Sequence, residues 1–204
     1  MELNIIEQSA TVTRISPKSV FKEIASAAAK SRLSTPNDEE LTHKLWGWQH
    51  MVPFEFIDIR ADLVANIGVS RELLRHRLVS AVEQSTRYTA KKALEGKGLT
   101  VIRPHWWGDA DEGRRVKWVL TMKAAYKYLK AFPEMPNDEL RDVLPLATAT
   151  QLAVKANLRE WLAIFKLRTA KNAHPQIRQL MSFIIWSMKA QNNEVATILE
   201  LAGY

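Results

Sequence analysis

The sequence of 204 residues predicts a single α+β domain, residues 1–204, in which a small mixed or antiparallel sheet accompanies a helix-rich C-terminal half. Three observations predict this class. Stretches rich in Ile, Val and Thr at 4–15 and 99–102 are typical of strands. Most of the chain after residue 137 reads as helical. A chain of this length encloses one sizeable core and is short for two full domains.

The first half of the chain alternates between predicted strands and helices. Pro17 is expected at the first position of a helix that continues to about Arg32. The turn at 34–38 supplies capping residues for a second helix, which carries Trp46 and Trp48. Residues 54–59 alternate apolar and acidic side chains and predict a half-buried strand. Helical spacing of Leu and Ile then predicts a helix over 61–78.

The second half begins with short segments and continues with helices. Residues 85–89 read as extended, which would place Ser85 and Arg87 on the same side. A strand at 99–102, a loop around 106–109 and a helix over 114–132 follow. Residues 133–137 contain the helix breaker Pro twice, and the remainder is predicted to be mostly helical.

Composition narrows the function classes without choosing one. Apolar residues at 47% and charged residues at 25% are ordinary for a soluble globular protein, and we predict a cytoplasmic one. The net charge of +7 favours an anionic partner, whether nucleic acid, a membrane surface or a small phosphate. Cys is absent, which excludes disulfides, Cys-ligated metals and thiol nucleophiles. We predict no metal site, no signal peptide and no membrane-spanning segment.

Anion-binding side chains are concentrated in residues 75–88. The polar members of this stretch include Arg75, His76, Arg77, Glu83, Ser85, Thr86, Arg87 and Tyr88. Apolar Leu78 and Val79 are interleaved, so part of the segment packs while its basic groups converge on a ligand. Guanidinium groups offer planar, paired donors that suit phosphate or a pyrimidine edge. Taken alone, however, Arg-His-Arg is also typical of a solvated surface or a salt-bridge cluster.

This stretch resembles the signature of the flavin-dependent thymidylate synthases: Arg-His-Arg, seven residues, then Ser-x-Arg-Tyr. Segments at 50–55, 141–145, 157–159, 164–168 and 173–178 resemble further elements of that family in the same order. The resemblance runs from about residue 42 to 180 and implies the fold of the family. It also implies a homotetramer whose subunits jointly build each active site around FAD.

The resemblance implies an enzyme that methylates dUMP at C5. The carbon comes from 5,10-methylenetetrahydrofolate, NADPH reduces the FAD, and the products are dTMP and tetrahydrofolate. No enzyme thiol attacks the pyrimidine on this route, which agrees with the absence of Cys. The residues implied to bind FAD are His50, Arg75, His76, Arg77, Glu83 and Asn157. Those implied to bind dUMP are Glu72, Ser85, Thr86, Arg87, Arg141 and Arg168.

Arg168 and Ser85 are the implied catalytic residues. Arg168 would bind and polarise the uracil ring as charge develops, and Ser85 would position the nucleotide. Asn157, Trp161, Ile164 and Arg168 have helical spacing and are expected to share one helix face. Leu158, Leu162 and Phe165 would form the adjacent core stripe. A plain surface charge is the alternative interpretation of Arg168.

Some positions depart from the family pattern and leave alternatives open. They are Phe56, Glu72, Val82, Ala163 and His174. A carboxylate at residue 72 would repel a phosphate unless a neighbouring cation neutralised it. Thymidylate synthesis stays the leading hypothesis, and the alternative is a divergent member that acts on another pyrimidine nucleotide or performs hydroxymethylation. A nucleic-acid-binding module is the non-enzymatic alternative, but the basic residues are spread along the chain, so we predict neither a nucleic-acid nor a membrane partner.

Overall fold

A computed structural model describes residues 2–31, 37–90 and 98–204. The helices and strands of these residues are, in chain order, β1 (Leu3–Ile6), β2 (Ser9–Ser16), α1 (Val20–Ala29), α2 (Asp38–Gly47), β3 (Asp58–Asn66), α3 (Ile67–Leu73), β4 (Ser80–Glu83), α4 (Thr86–Thr89), β5 (Leu99–Ile102), α5 (Glu112–Lys130), α6 (Asn137–Leu140), β6 (Ala149–Asn157), α7 (Leu158–Arg168), α8 (Pro175–Gln191) and α9 (Asn193–Leu201). Short 3₁₀ helices cover Val52–Phe56, His105–Trp107 and Arg141–Val143. The predicted α+β class is confirmed.

The strands form two groups. β1 and β5 pair in parallel, with Leu3 opposite Leu99 and Ile6 opposite Ile102. The other sheet has the strand order β2-β3-β6-β4. The chain also divides into two compact units, the first made of Met1–Ser9, Val64–Arg75 and Val82–Leu152, and the second of Ala10–Leu63, His76–Ala81 and Ala153–Tyr204. A single domain over 1–204 therefore stays a prediction.

The core of the first unit lies where α5 packs against β1 and β5. Leu3, Leu99 and Val101 of the strands bury their side chains against Met122 and Tyr126 of the helix. These helix positions are four residues apart, which places them on one face. A second apolar cluster joins Ala90, Leu129 and Leu140.

The core of the second unit is helical. In it α1 packs against α2 and α9, and α7 packs against α8. The indole of Trp161 is fully buried in α7, and its Nε1 donates to the backbone oxygen of Ile59 over 3.2 Å. Burying an aromatic ring of this size and satisfying its one donor together anchor α7. No helix among the described residues is long and apolar enough to cross a membrane.

The predicted strand at 54–59 is wrong up to residue 57, and the predicted helix at 61–78 is confirmed only over α3. Residues 52–56 form a 3₁₀ helix, β3 runs to Asn66, and α3 ends at Leu73. In β3 the buried positions Ile59, Ala61, Leu63 and Ala65 alternate with less buried ones, which is the period of a strand. The spacing of Leu and Ile across 63–78 matched a helix by coincidence, because it combined strand, helix and turn residues. Leu78 is in fact exposed.

Two further predictions about elements are wrong, and a third missed one strand. Pro17 does not open a helix, because α1 begins at Val20, and the predicted end at Arg32 lies outside the described residues. Residues 86–89 form α4 instead of extended chain. The segment after residue 137 is mostly helical, as predicted, but it also contains the strand β6. Its Thr and Val side chains and alternating burial favour a strand, and pairing with other strands decides it.

Other predictions about elements are confirmed. β5 covers 99–102 as predicted, and α5 covers most of the predicted 114–132. Asn37 caps α2 by accepting hydrogen bonds from the backbone of Glu39 and Glu40. Trp46 lies in that helix, and Trp48 follows its end. Residues 34–36 of the predicted turn lie outside the described residues.

Candidate functional site

A cavity of about 900 Å³ lies in the first unit. Its volume falls within the usual range for small-molecule sites, about 300–1,000 Å³. The residues that line it are Ile67, Arg71, Glu83, Gln84, Ser85, Thr86, Arg87, Arg141, Asp142, Leu144 and Leu146. The structure thus brings together five residues that the sequence predicted for ligand binding, namely Glu83, Ser85, Thr86, Arg87 and Arg141.

Backbone hydrogen bonds place the walls of this cavity. The amide of Gln84 donates to the oxygen of Gln151 over 2.9 Å, which fixes the end of β4 beside β6. The side chain of Asn66 accepts from the amide of Val69 over 2.7 Å and so caps α3, the helix that carries Arg71 into the wall. Ser85 has an extended backbone and immediately precedes α4.

The cavity wall combines cationic, acidic and apolar residues. Arg71, Arg87 and Arg141 contribute guanidinium groups, and Glu83 and Asp142 contribute carboxylates. Arg141 donates its Nε to the backbone oxygen of Asp138 over 3.2 Å, and no bond to another described residue is seen for its two terminal nitrogens, which can donate to a ligand. Ile67, Leu144 and Leu146 supply the apolar part of the lining. This combination suits a small ligand with a phosphate group and a flat ring.

Glu83 is held inside this wall by two buried hydroxyl groups. Ser70 Oγ donates to Glu83 Oε1 over 2.6 Å, and Thr150 Oγ1 donates to the same oxygen over 3.1 Å. Ser70 is 1% exposed and Thr150 is 3% exposed. The carboxylate is therefore fixed by α3 and β6 together, although it belongs to β4.

The second unit contains a separate cluster of polar side chains, His76, Glu160 and Arg168. Arg168 Nε donates to His76 Nε2 over 3.0 Å. His76 Nδ1 lies 3.8 Å from Glu160 Oε1, too far for a hydrogen bond. The side chains of His76 and Glu160 are only 9% and 13% exposed.

The imidazole of His76 is neutral in this arrangement. Burial lowers the pKa of His76, and the positive charge of Arg168 lowers it further. Because Arg has no acceptor, Nε2 of His76 carries the lone pair, and the ring proton is on Nδ1. Burial also raises the pKa of Glu160. The distance to Glu160 would admit an ion pair, but a charged imidazole could not accept from Arg168, so the neutral form fits the geometry.

The helix face that we predicted for α7 is only partly available to a ligand. Asn157 is not inside the helix, since its side chain accepts from the amide of Glu160 over 2.8 Å and caps α7. Trp161 and Ile164 are fully buried in the core. Arg168, in the last turn, is half-buried. The predicted core stripe of α7, Leu158, Leu162 and Phe165, is confirmed as buried.

The remaining predicted site residues lie on exposed or half-buried positions. His50 is exposed, and its ring centroid lies 5.9 Å from that of Trp48. Arg75 and Arg77 are exposed in the turns that follow α3. Glu72 is half-buried on α3 and is not one of the described residues that line the cavity. The ligand roles of these residues stay predictions.

Several residues of the cavity and of the His76 cluster were not predicted from the sequence. Arg71 and Gln84 line the cavity, and Ser70 and Thr150 hold its carboxylate. Arg71 carried a usable signal, since it is a further cation just before the Arg-His-Arg run. Glu160 carried none, because an acidic residue in a helical first turn is common. Within the described ranges, no group of three or more His, Cys, Asp or Glu residues is placed to hold a metal ion.

Comparison with known proteins gives consistent matches. Residues 2–191 match the family model described as thymidylate synthase complementing protein. The flavin-dependent thymidylate synthase of Synechocystis is 28% identical over 166 residues, which cover 74% of this chain and 77% of that protein. The enzyme of the same name from Mycobacterium tuberculosis is 29% identical over 184 residues, which cover 78% of this chain and 70% of that protein.

Two solved structures share the fold. The UMP/dUMP methylase PolB from Streptomyces cacaoi, bound with 5-Br UMP, matches with a TM-score of 0.79 at 20% identity. The superposition covers 100% of this chain and 97% of the PolB chain. Thymidylate synthase X from Helicobacter pylori, with FAD and dUMP, matches with a TM-score of 0.71 at 19% identity. The superposition covers 90% of this chain and 94% of the H. pylori chain. The resemblance, the enzyme class and the fold predicted from the sequence are confirmed.

Proposed function

The chain belongs to the thymidylate synthase complementing protein family, and we propose that it methylates dUMP at C5. The one-carbon unit of 5,10-methylenetetrahydrofolate is transferred to the pyrimidine, NADPH is the source of reducing equivalents, and FAD is the cofactor. The products are dTMP and tetrahydrofolate. This proposal follows the names of the Synechocystis and M. tuberculosis relatives.

The cavity of the first unit is the observation that carries the proposal. A nucleoside monophosphate needs cationic donors for its phosphate and an apolar surface for its ring. Arg71, Arg87 and Arg141 supply the donors, and the Leu and Ile side chains supply the surface. Ser85, between Glu83 and Arg87 on the same wall, can donate to or accept from the nucleotide. In our proposal Ser85 positions the substrate and does not attack it.

Arg168 is the residue that we propose to bind and polarise the uracil ring. Its guanidinium keeps a permanent positive charge and can stabilise negative charge that develops on the ring during carbon transfer. Arg168 Nε donates to His76 Nε2 over 3.0 Å, which restrains the orientation of the guanidinium.

The residues predicted to bind FAD fit that cofactor by their chemistry. Arg75 and Arg77 are exposed cations two residues apart, and guanidinium groups suit a diphosphate. Asn157 uses its side-chain oxygen to cap α7, which leaves its amide hydrogens to donate to the flavin edge. His50 and His76 complete the proposed set. Glu83, which the resemblance also implies for FAD, lines the cavity of the first unit, and there we propose that it contacts the nucleotide. When bound, FAD supplies the hydride that it receives from NADPH.

Assembly and location are parts of the same proposal. We propose a cytoplasmic homotetramer of chains that each form one domain over 1–204, with subunits that jointly complete each active site. Size-exclusion chromatography with light scattering measures this state directly. A monomer that turns over dUMP at full rate would contradict the shared-site part of the proposal.

A second candidate is methylation of another pyrimidine nucleotide, or hydroxymethylation. Two observations favour keeping it. The chain has Glu72 where the family commonly has Gln, and the structurally similar PolB is described as a UMP/dUMP methylase. A site that accepts UMP tolerates a 2′-hydroxyl group that dUMP lacks.

Absorbance and product mass distinguish these candidates. The purified protein is incubated with FAD, freed of excess, and scanned in the visible range before and after dUMP is added. It is then supplied with NADPH, methylenetetrahydrofolate and either dUMP, UMP or dCMP, and the masses of the products are measured by mass spectrometry. Retained flavin and a methylated product from dUMP alone support the first candidate. Methylated UMP or dCMP, or a hydroxymethylated product, supports the second.

Replacing one cavity cation tests the placement of the phosphate. Arg141→Ala should weaken dUMP binding about 10-fold or more, because a charge-assisted hydrogen bond contributes roughly 1.5–3 kcal/mol. Lys117→Ala is the matched control, since it also removes one positive charge from an exposed site of the first unit and does not line the cavity. Equal dissociation constants for the two variants would refute the assignment.

A further inference from the structure

The carboxylate of Glu83 is the unusual feature of a cavity built to bind an anion. It lines the same wall as Arg71 and Arg87. A carboxylate and a phosphate repel each other, so a carboxylate in an anion-binding cavity needs a defined orientation. The hydroxyl groups of Ser70 and Thr150 fix Oε1, since both donate to it.

Ser70 is directed to Glu83 in preference to its own helix. Its Oγ lies 2.6 Å from Glu83 Oε1 and 3.2 Å from the backbone oxygen of Ile67. A hydroxyl group has a single proton, and the shorter contact to the charged acceptor is the stronger one. Its burial keeps water from competing for the same oxygen.

We propose that Ser70 and Thr150 are positioning residues, which orient the Glu83 carboxylate so that it accepts a hydrogen bond from the bound nucleotide. Because both hydroxyl groups occupy Oε1, the hydrogen bonds of the described residues leave Oε2 to accept from a ligand. The ligand group must be an N–H or O–H donor of a nucleoside monophosphate, while the guanidinium groups take its phosphate. This inference rests on the proposed function, because it deepens the role of the same cavity.

This arrangement combines residues from three different elements of the fold. Ser70 comes from α3, Glu83 from the end of β4 and Thr150 from β6. The backbone bond from Gln84 to Gln151 sets the position of β4 one residue away from the carboxylate. The carboxylate is thus oriented before a ligand arrives, and binding does not have to order it.

A double-mutant cycle on the flavin-loaded protein tests the proposal. Calorimetry measures the dissociation constant of dUMP for the wild type, Ser70→Ala, Glu83→Ala and the double variant. We expect Ser70→Ala to raise the dissociation constant roughly 10-fold. In the Glu83→Ala background, Ser70→Ala should raise the dissociation constant by less than about 2-fold, because Ser70 then has no carboxylate to orient. A merely structural role for Ser70 would give the same factor in both backgrounds.

Ser187→Ala is the matched control. It also removes a buried serine hydroxyl group, one that accepts from the amide of Val12 over 2.8 Å in the second unit. It should lower the melting temperature without changing the affinity for dUMP. If Ser70→Ala does not fold, Thr150→Val supplies the same cycle, since it removes the hydroxyl group and keeps the side-chain volume.

The failure of this inference differs from the failure of the proposed function. Wild-type affinity in Ser70→Ala, or equal factors in both backgrounds, overturns the positioning role and leaves the nucleotide site intact. A wild-type protein that does not bind dUMP overturns both.

Discussion

The contact between Arg168 and His76 makes protein stability depend on pH in a defined direction. Above about pH 6.5 the imidazole is neutral in the folded and the unfolded chain, and Nε2 accepts from Arg168 over 3.0 Å. Below that pH the unfolded chain takes up a proton on His76, but the folded chain resists it, because burial and the charge of Arg168 lower the pKa of His76. The free energy of unfolding therefore falls as the pH drops below about 6.5, and the fall ends once the folded pKa is passed.

The size of this effect is bounded by one proton. A single site changes the free energy of unfolding by at most about 1.4 kcal/mol per pH unit, so the loss at pH 5.5 is at most about 1.4 kcal/mol. Replacing His76 by Gln removes the titration and keeps a side-chain oxygen that can accept from Arg168. Urea unfolding of both proteins between pH 8 and 5.5 should show the wild type losing up to that amount relative to His76→Gln.

The comparison between the two proteins isolates His76. Glu160 titrates with the opposite sign, since its raised pKa lets the folded chain bind a proton first and gain stability as the pH falls towards 4.5. That contribution occurs in both proteins and largely cancels in the difference. Parallel pH profiles for wild type and His76→Gln would refute the neutral, Arg-bound imidazole.

Three further predictions concern α7 and its ends. Arg168→Ala should abolish turnover but leave the visible flavin band intact, and loss of flavin together with turnover would count against its role at the uracil ring. Trp161→Phe should cost about 1–3 kcal/mol in urea unfolding, because it leaves the buried oxygen of Ile59 without its donor; an unchanged midpoint would show that this bond contributes nothing. Asn157→Ala should cost about 1 kcal/mol through the lost helix cap, which the same unfolding assay detects, whereas Asn157→Asp, which keeps the capping oxygen, should cost less.

Residue types and their spacing were enough to predict the fold class, the family and most of one cavity wall. Residues 83–87 are contiguous, so their types and spacing were visible before any folding was considered. α5 could also be predicted, because a helix that begins after the capping residue Asp111 and ends near Pro133 is set by local sequence. These predictions needed only neighbours in the chain.

The strand β6 and most of β3 could be assigned only from the folded chain, because they lie in segments that sequence reasoning had predicted to be helical or mostly helical. Strand pairing joins residues that are far apart in sequence, and a run such as 61–66 has apolar residues that fit either period. The chemistry of the clusters was decided in the same way. Ser70 and Thr150 reach Glu83 from positions 13 and 67 residues away, and Arg168 reaches His76 across 92 residues. Since no local pattern records such distances, the restraint on Glu83 and the neutral state of His76 follow only from the folded chain.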